Sequence, residues 1–553
     1  MPAANVENAL DSDSVISLDT QSDSEDVQDD SGNIVLVGAP IEQSNPLGHE
    51  VTLLSSVTLN LGRMLGAGIY SVPGVTLNSV GSIGLLFVFW LLAPLFALGG
   101  LMVYSEYASM FPKRSGAEVV YLEQAYPRPQ FLVPVAFAVN AVLLDSSATS
   151  SIVFAQYVLV IFDVPITPAR QTAIAIAVCT VGMAFVGLST KWSLRAVNFL
   201  SVLKVLSIAF LVFTGALVLG GFTRIRDPYA NFRSPFSGST TNPNSLATAL
   251  VKTSFAFSGW HNAFNVLGEV RTRDPVRTVR KAGLLSLLSV TCLFFFANVA
   301  YVAAVPKDEM SSSGQLIAAL FFQRVFGQGF AAKTLPIMVA LSCFGSILAV
   351  TIGQARILRE VARQGLLPYP RFFASTKPFG TPLAPVCLRY FLTVFVMVAL
   401  PAQDAFNFLV DLVSYPGQVF TAATAVGVWL LRRRRSLAGL APSKYRARNI
   451  YVSLYLLGAV FILIMAWVPP EPGHGDVSFW YATYCVVGLG VLALCGVYYW
   501  LWIVFLPWLG GYTIVEEVER LDDGALVARL TRKYHPSVAE TDNREQQPLL
   551  AST

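Results

Sequence analysis

The chain has 553 residues, 54% of them hydrophobic and 13% charged, with a formal net charge of +4 and a mean hydropathy of +0.57. That balance excludes a soluble globular domain. Its apolar runs are mostly about 20 residues or longer, enough to cross a hydrocarbon core roughly 30 Å thick, and the chain reads as an all-α polytopic membrane protein.

Residues 1–50 contain no lysine or arginine but many acidic residues and serines, as in 21-QSDSEDVQDD-30. Such a segment buries too little apolar surface to offset its ordering entropy, so a disordered acidic cytoplasmic tail is expected. No cleavable signal peptide is recognisable, because the first apolar run is too long for one. Twelve candidate transmembrane helices follow, at about 51–77, 83–111, 131–161, 171–189, 195–221, 245–271, 281–305, 333–361, 382–400, 404–431, 450–468 and 479–508. Short surface helices are expected within 306–330, and a cytoplasmic tail over 509–553.

With the N-terminus inside, the inner loops collect Lys113, Arg114, Arg271, Arg277, Arg280, Arg356, Arg363 and Arg432 to Arg435, while the outer loops are poor in basic residues. This is the positive-inside pattern with both termini cytoplasmic. The run 432-RRRR-435 reads as an anchor on anionic lipid, and no nucleic-acid partner is expected. All six cysteines fall in apolar runs, so no structural disulfide is expected. Four histidines without metal-ligand spacing, and no nucleophile motif, point away from an enzyme, a metal or a cofactor.

Two spans carry helix breakers: 62-GRMLGAGIYSVPG-74 in the first and 255-FAFSGWHN-262 in the sixth. Broken helices survive in a bilayer only where they are buried or line a cavity. Breaks five spans apart match a five-plus-five inverted-repeat transporter, the LeuT-like fold, with discontinuous helices 1 and 6 and repeats over about 51–221 and 245–431. A substrate site is then expected between the two breaks. Gly62 and Gly66 also form a GxxxG spacing, which packs helices closely without any ligand. Pro73 is expected to help re-form the helix beyond the first break.

Lys204 is the basic residue deepest in span five, and a lone cation in hydrocarbon is costly unless paired or facing water. Proton coupling is one reading; a fixed cation tying helix five to helices one and eight near Ser342 and Ser346 is the other. Of the remaining intramembrane charges, Arg63, Glu106, Asp145, Glu269 and Asp411, the acids Asp145 and Asp411 stay open as proton acceptors.

The segment 64-MLGAGIYSVPG-74 resembles the first helix of the amino acid-polyamine-organocation superfamily, and 255-FAFSGWHNAFNVLGEVRTRDPVRT-278 resembles its sixth. Further likeness runs through 103-VYSEYASMFPKRSGAEVVYLEQAY-126 and 340-ALSCFGSILAVTIGQARILREVARQGLLP-368. Within the superfamily the chain is most similar to the L-type amino acid transporter branch, and there to fungal methionine permeases, through 121-YLE-123, 153-VFAQY-157, 192-WSLRAVNFLSVLKVL-206 and 274-DPVRT-278.

The resemblance implies that the substrate carboxylate meets the amides of Gly66, Ala67 and Gly68, next to Ile69, and that the ammonium meets the carbonyls of Met64, Phe255, Ala256 and Ser258. It implies side-chain walls from helices three, six, eight and ten, with Phe257, Trp260 and His261 as gating or thioether-binding aromatics. Ala67 stands where a serine is common and Ser258 where a glycine is common. The resemblance places Lys204, with Ser342 and Ser346, where sodium sits in sodium-coupled relatives, and casts Glu106 and Glu269 as cytoplasmic gate ion pairs.

The expected activity is secondary transport of neutral L-amino acids, methionine first, by proton symport with alternating access. A uniporter or exchanger, or a receptor-like sensor, are the competing readings. Residues 162-FDVPITPAR-170 contain no cysteine, so no disulfide-linked heavy chain is expected. The acidic dileucine form 545-EQQPLL-550 suggests a clathrin-type sorting adaptor, and the acidic tail an arrestin-like ubiquitin ligase adaptor, with Lys533 as an acceptor. The plasma membrane is the expected location, with the endosome or vacuole as further stations.

Overall fold

The computed structural model describes residues 51–534 apart from 130, 145–146, 328–329, 368, 400–404, 471–479 and 522–525, together with the strands β1 (Val27–Gln28) and β2 (Ile34–Val35). Asp145, most of the N-terminal tail and the dileucine stretch lie outside the described residues.

Apolar sequence with few turn residues folds here into helices. The first span is split into α1 (Leu53–Met64) and α2 (Gly68–Val80). There follow α3 (Ile83–Met110), α4 (Glu118–Ala125), α5 (Leu132–Leu144), α6 (Ala148–Ile161), α7 (Pro168–Leu188) and α8 (Thr190–Leu219). The sixth span is α9 (Pro243–Phe257) followed by a 3-10 helix, Asn262–Glu269. Next come α10 (Pro275–Ala304), the short α11 (Lys307–Ser312) and α12 (Ile317–Phe326), then α13 (Phe330–Arg363) and α14 (Pro370–Ala374). The chain continues through α15 (Leu383–Ala399), α16 (Ala405–Leu437), α17 (Asn449–Met465), α18 (Thr483–Tyr499) and α19 (Leu506–Gly510).

Among the described residues, seven helical segments are long and apolar enough to cross a membrane. Of the other five anticipated spans, α1/α2 and α9 are interrupted, α15 and α17 run to only 17 residues, and α16 is long at 33 residues but less apolar. On α8, Phe199, Val202, Leu206 and Phe213 are exposed at helical spacing, while Ser201, Lys204, Ser207 and Leu211 on the other side are buried. An apolar stripe facing outward and polar groups facing inward is the reverse of a soluble helix and suits a lipid solvent. The chain is an integral membrane protein.

The bundle is organised around the interrupted helices. The first, α1, packs on α8, α10 and α13, and α2 packs on α9. The polar surface helices expected within 306–330 are present as α11 and α12. All six cysteines are free thiols.

The all-helical expectation needs one correction. Residues anticipated as a plain tail form β3 (Tyr512–Arg520) and β4 (Leu526–Tyr534), an antiparallel hairpin in register from Tyr512↔Tyr534 to Arg520↔Leu526. It docks on the end of α13: Val527 clusters with Ala362 and Ala374, and Arg363 Nε donates to the Leu526 carbonyl at 2.9 Å. The apolar start of 526-LVARLTRKY-534 supplies the contact, with Val527 and Ala528 buried and the end of the strand exposed.

Candidate functional site

A helix that stops inside a bundle leaves its last carbonyls without amide donors. In α1 the stop is at Met64, and Leu65 leaves the helical region at φ −80°, ψ 52°. Three side chains supply the missing donors. Lys204 Nζ donates to the Gly62 carbonyl at 2.6 Å, Ser346 Oγ to the same carbonyl at 2.9 Å, and Ser342 Oγ to the Leu65 carbonyl at 2.7 Å. Lys204 also lies 3.3 Å from Ser346 Oγ and is 2% exposed. The serines come from α13 and the lysine from α8, so the break in helix one holds three helices together. Gly62 itself serves close packing: a Cβ there would meet Ser201, Ala349 and Val197 at 3.1–3.2 Å.

The helix restarts at Gly68, so Pro73 lies inside α2 rather than at its start. Proline suits the first helical position, but here the chain turns helical five residues earlier, because Gly68 abuts the second break. A Cβ on Gly68 would meet the Ala256 Cα at 2.7 Å. Helix α9 ends at Phe257, Ser258 is extended at φ −64°, ψ 137°, and Gly259 takes φ +118°, a conformation that disfavours any Cβ. The Ser258 amide donates to the Phe255 carbonyl at 3.0 Å. Asn262 Nδ2 then reaches the carbonyls of Leu59 and Ala349, both at 3.3 Å, and ties the second break to α1 and α13.

Between the breaks lies a cavity of about 350 Å3. Met64, Gly66, Ala67, Gly68, Phe255, Phe257, Ser258 and Trp260 line it, together with Ser346. Ile69 and Ala256 do not: Ile69 is fully buried, and Ala256 backs directly onto Gly68. Lys204 and Ser342 stand behind the wall, at the carbonyls of the first break. The walls come from helices three, six, eight and ten, as anticipated, and also from α3 and from α17, through Tyr455 and Ile462. At one end Trp260 packs edge-on against Tyr104 with ring centroids 4.9 Å apart, and Tyr104 Oη donates to Glu118 Oε1 at 2.5 Å. His261 joins this group, its Nε2 3.9 Å from Glu118 Oε1.

A family model described as amino acid permease matches residues 51–492. The chain belongs to the amino acid permease family. It is 31% identical over 503 residues to the high-affinity methionine permease of Saccharomyces cerevisiae, covering 90% of this chain and 86% of that one. It is 29% identical to the low-affinity methionine permease of the same yeast, with 88% of each chain covered. The large neutral amino acids transporter small subunit 2 of Mus musculus is 26% identical over 77% of each chain. These relatives are permeases and transporters, not enzymes.

Two further buried carboxylates of the permease are paired with arginines. Glu269, at the end of the second break, accepts from Arg356 Nε at 3.1 Å, both side chains being buried. Glu106 on α3 is held by Arg432 Nη2 at 2.6 Å and by the Ala447 amide at 2.8 Å. The arginine run therefore does more than face lipid: Arg432 turns inward to Glu106, Arg434 reaches the Gln124 carbonyl at 3.4 Å, and Arg435 the Ala441 carbonyl at 3.0 Å. A charge-assisted bond to a buried carboxylate accounts for Arg432, and Arg433 stays exposed.

Asp411 on α16, left open as a proton acceptor, is gripped by Lys252 of α9, with Nζ 2.8 Å from each carboxylate oxygen. Lys252 went unremarked in the sequence. The available signal was one lysine and one aspartate, each alone in an apolar stretch.

Proposed function

We propose that this permease carries neutral L-amino acids, methionine foremost, across the plasma membrane by alternating access coupled to protons. The observation that carries this reading is the junction of two interrupted helices at one cavity, with small residues, Gly66, Ala67 and Gly68, presenting backbone to it. Amides at the start of α2 carry the positive end of a helix dipole and suit a carboxylate. Carbonyls at Met64, Phe255 and Ser258 suit an ammonium, whereas Ala256, backed onto Gly68, is set aside. The aromatic walls at Phe255, Phe257 and Trp260 suit a thioether or another apolar side chain. Two relatives named as methionine permeases support the choice of substrate.

In this reading the chain crosses the bilayer twelve times with both termini in the cytoplasm, in two inverted five-helix repeats followed by two further helices. Glu106 with Arg432, and Glu269 with Arg356, act as cytoplasmic gate pairs. Lys204 is the coupling group: its ammonium caps the Gly62 carbonyl alongside Ser346, and loss of its proton would weaken that charge-assisted bond and loosen the first break. The clathrin-type and arrestin-like adaptors remain proposed partners of the two tails, with Lys533 as ubiquitin acceptor. Replacing Lys533 with Arg should slow substrate-induced internalisation.

The test is uptake of labelled amino acids into proteoliposomes of the purified protein with and without an imposed pH gradient. Methionine should accumulate against its own gradient only when the outside is acidic. Methionine uptake indifferent to pH would leave a uniporter or exchanger, and uptake of no amino acid would end the transport reading.

A further inference from the structure

Lys252 is 0% exposed and Asp411 3%, both deep in the bundle. The ammonium has three donors, and three acceptors surround it: Asp411 Oδ1 and Oδ2 at 2.8 Å each and the Asn407 carbonyl at 3.1 Å. Asp411 and Asn407 are four residues apart on α16, so one lysine grips a full turn of the opposite helix. A buried ion pair adds little stability over a well-packed apolar pair, and its best-attested use is to fix the register of the elements it joins.

The two helices so joined are packed side by side, and both contribute walls to the cavity. On α9, the neighbours of Lys252 at Leu250, Val251, Ser254 and Phe255 line it, and on α16 those of Asp411 at Val410 and Val413 do. Lys252 and Asp411 themselves do not face the cavity, so they act through these neighbours.

We propose that the Lys252–Asp411 pair is a positioning device that fixes the spacing and rotation of the α9 and α16 walls and thereby sets the largest substrate side chain the cavity admits. The inference rests on the transport reading for its physiological meaning, but the size limit it predicts belongs to the cavity and is measurable as binding. It is a role for charge at a distance from the ligand: the pair touches no substrate and decides which substrates fit.

The experiment compares the native protein with the apolar double variant Lys252→Met/Asp411→Leu and the swapped pair Lys252→Asp/Asp411→Lys. Each is purified in full length, and methionine, leucine, phenylalanine and tryptophan are tested by ligand-induced thermal shift and by competition against labelled methionine uptake. The double variant leaves no unpaired buried charge and should keep the native melting temperature to within a few degrees. Its preference for methionine over tryptophan should fall by roughly tenfold, the scale on which pocket size discriminates apolar side chains. The swapped pair should recover most of it. A stable double variant whose preference stays within about twofold of native, by thermal shift, would overturn the proposal. Because that readout needs no transport, wild-type uptake in the same series tests the transport reading separately.

Discussion

Lys204 on α8 and Lys252 on α9 are both withdrawn from water, 2% and 0% exposed, but their charges are treated differently. Lys252 faces a carboxylate bidentately, so its charge is cancelled and the pair is rigid. Lys204 meets a backbone carbonyl and a serine hydroxyl, which stabilise a cation by dipoles alone. One arrangement fixes geometry; the other leaves a charge that loss of a proton can remove without stranding a counter-ion. A lysine deep in a membrane protein is thus defined by what faces it and not by its depth.

Four changes should break or sharpen that contrast. The largest effect is expected from Lys204→Ala, which should abolish accumulation driven by a pH gradient while leaving exchange of internal for external methionine measurable; retained accumulation would make Lys204 a structural tie. Asp411→Asn should act on the fold instead, because it leaves the Lys252 ammonium buried beside a neutral amide. The cost of breaking a buried pair is about 3–5 kcal/mol, visible as a lower melting temperature in detergent. Ser346→Ala removes one of two donors to the Gly62 carbonyl and a partner of Lys204. A loss of about 1 kcal/mol is expected, read as a severalfold rise in the KM for methionine with its pH profile displaced.

The smallest effect belongs to Arg371→Ala, which removes an ion pair to Glu519 on the hairpin, with Arg371 58% exposed. Water and salt screen such a pair to under about 1 kcal/mol, so proteolysis of the β3–β4 hairpin should barely quicken. A large change there would mean that exposure is a poor guide to these pairs and would weaken the contrast drawn between the buried ones.

Much of the site was legible because breaks are local. Glycines in 62-GRMLGAG-68 and in 258-SGW-260 mark weak points of their helices, and both interruptions are where the sequence puts them. Lys204 with Ser342 and Ser346 was legible as well, since a lone cation in an apolar run demands partners. Lys252 was overlooked because its answer lies 159 residues away, on a helix the sequence offers no way of placing beside it. Arg432 misled for the opposite reason: four adjacent arginines look like one surface feature until Glu106 draws one of them inward. The hairpin was hidden by its length and polarity, although 523-DG-524 is a turn signal.

The sequence by itself determined that this is a membrane protein with two interrupted helices, because hydropathy adds along the chain and helix breaking is decided within a few residues. Only the tertiary structure decided that Gly68 meets Ala256, that Lys204 caps Gly62, and that Lys252 meets Asp411. These are contacts between distant segments, fixed by how helices pack in three dimensions, and no local property of either partner encodes the other.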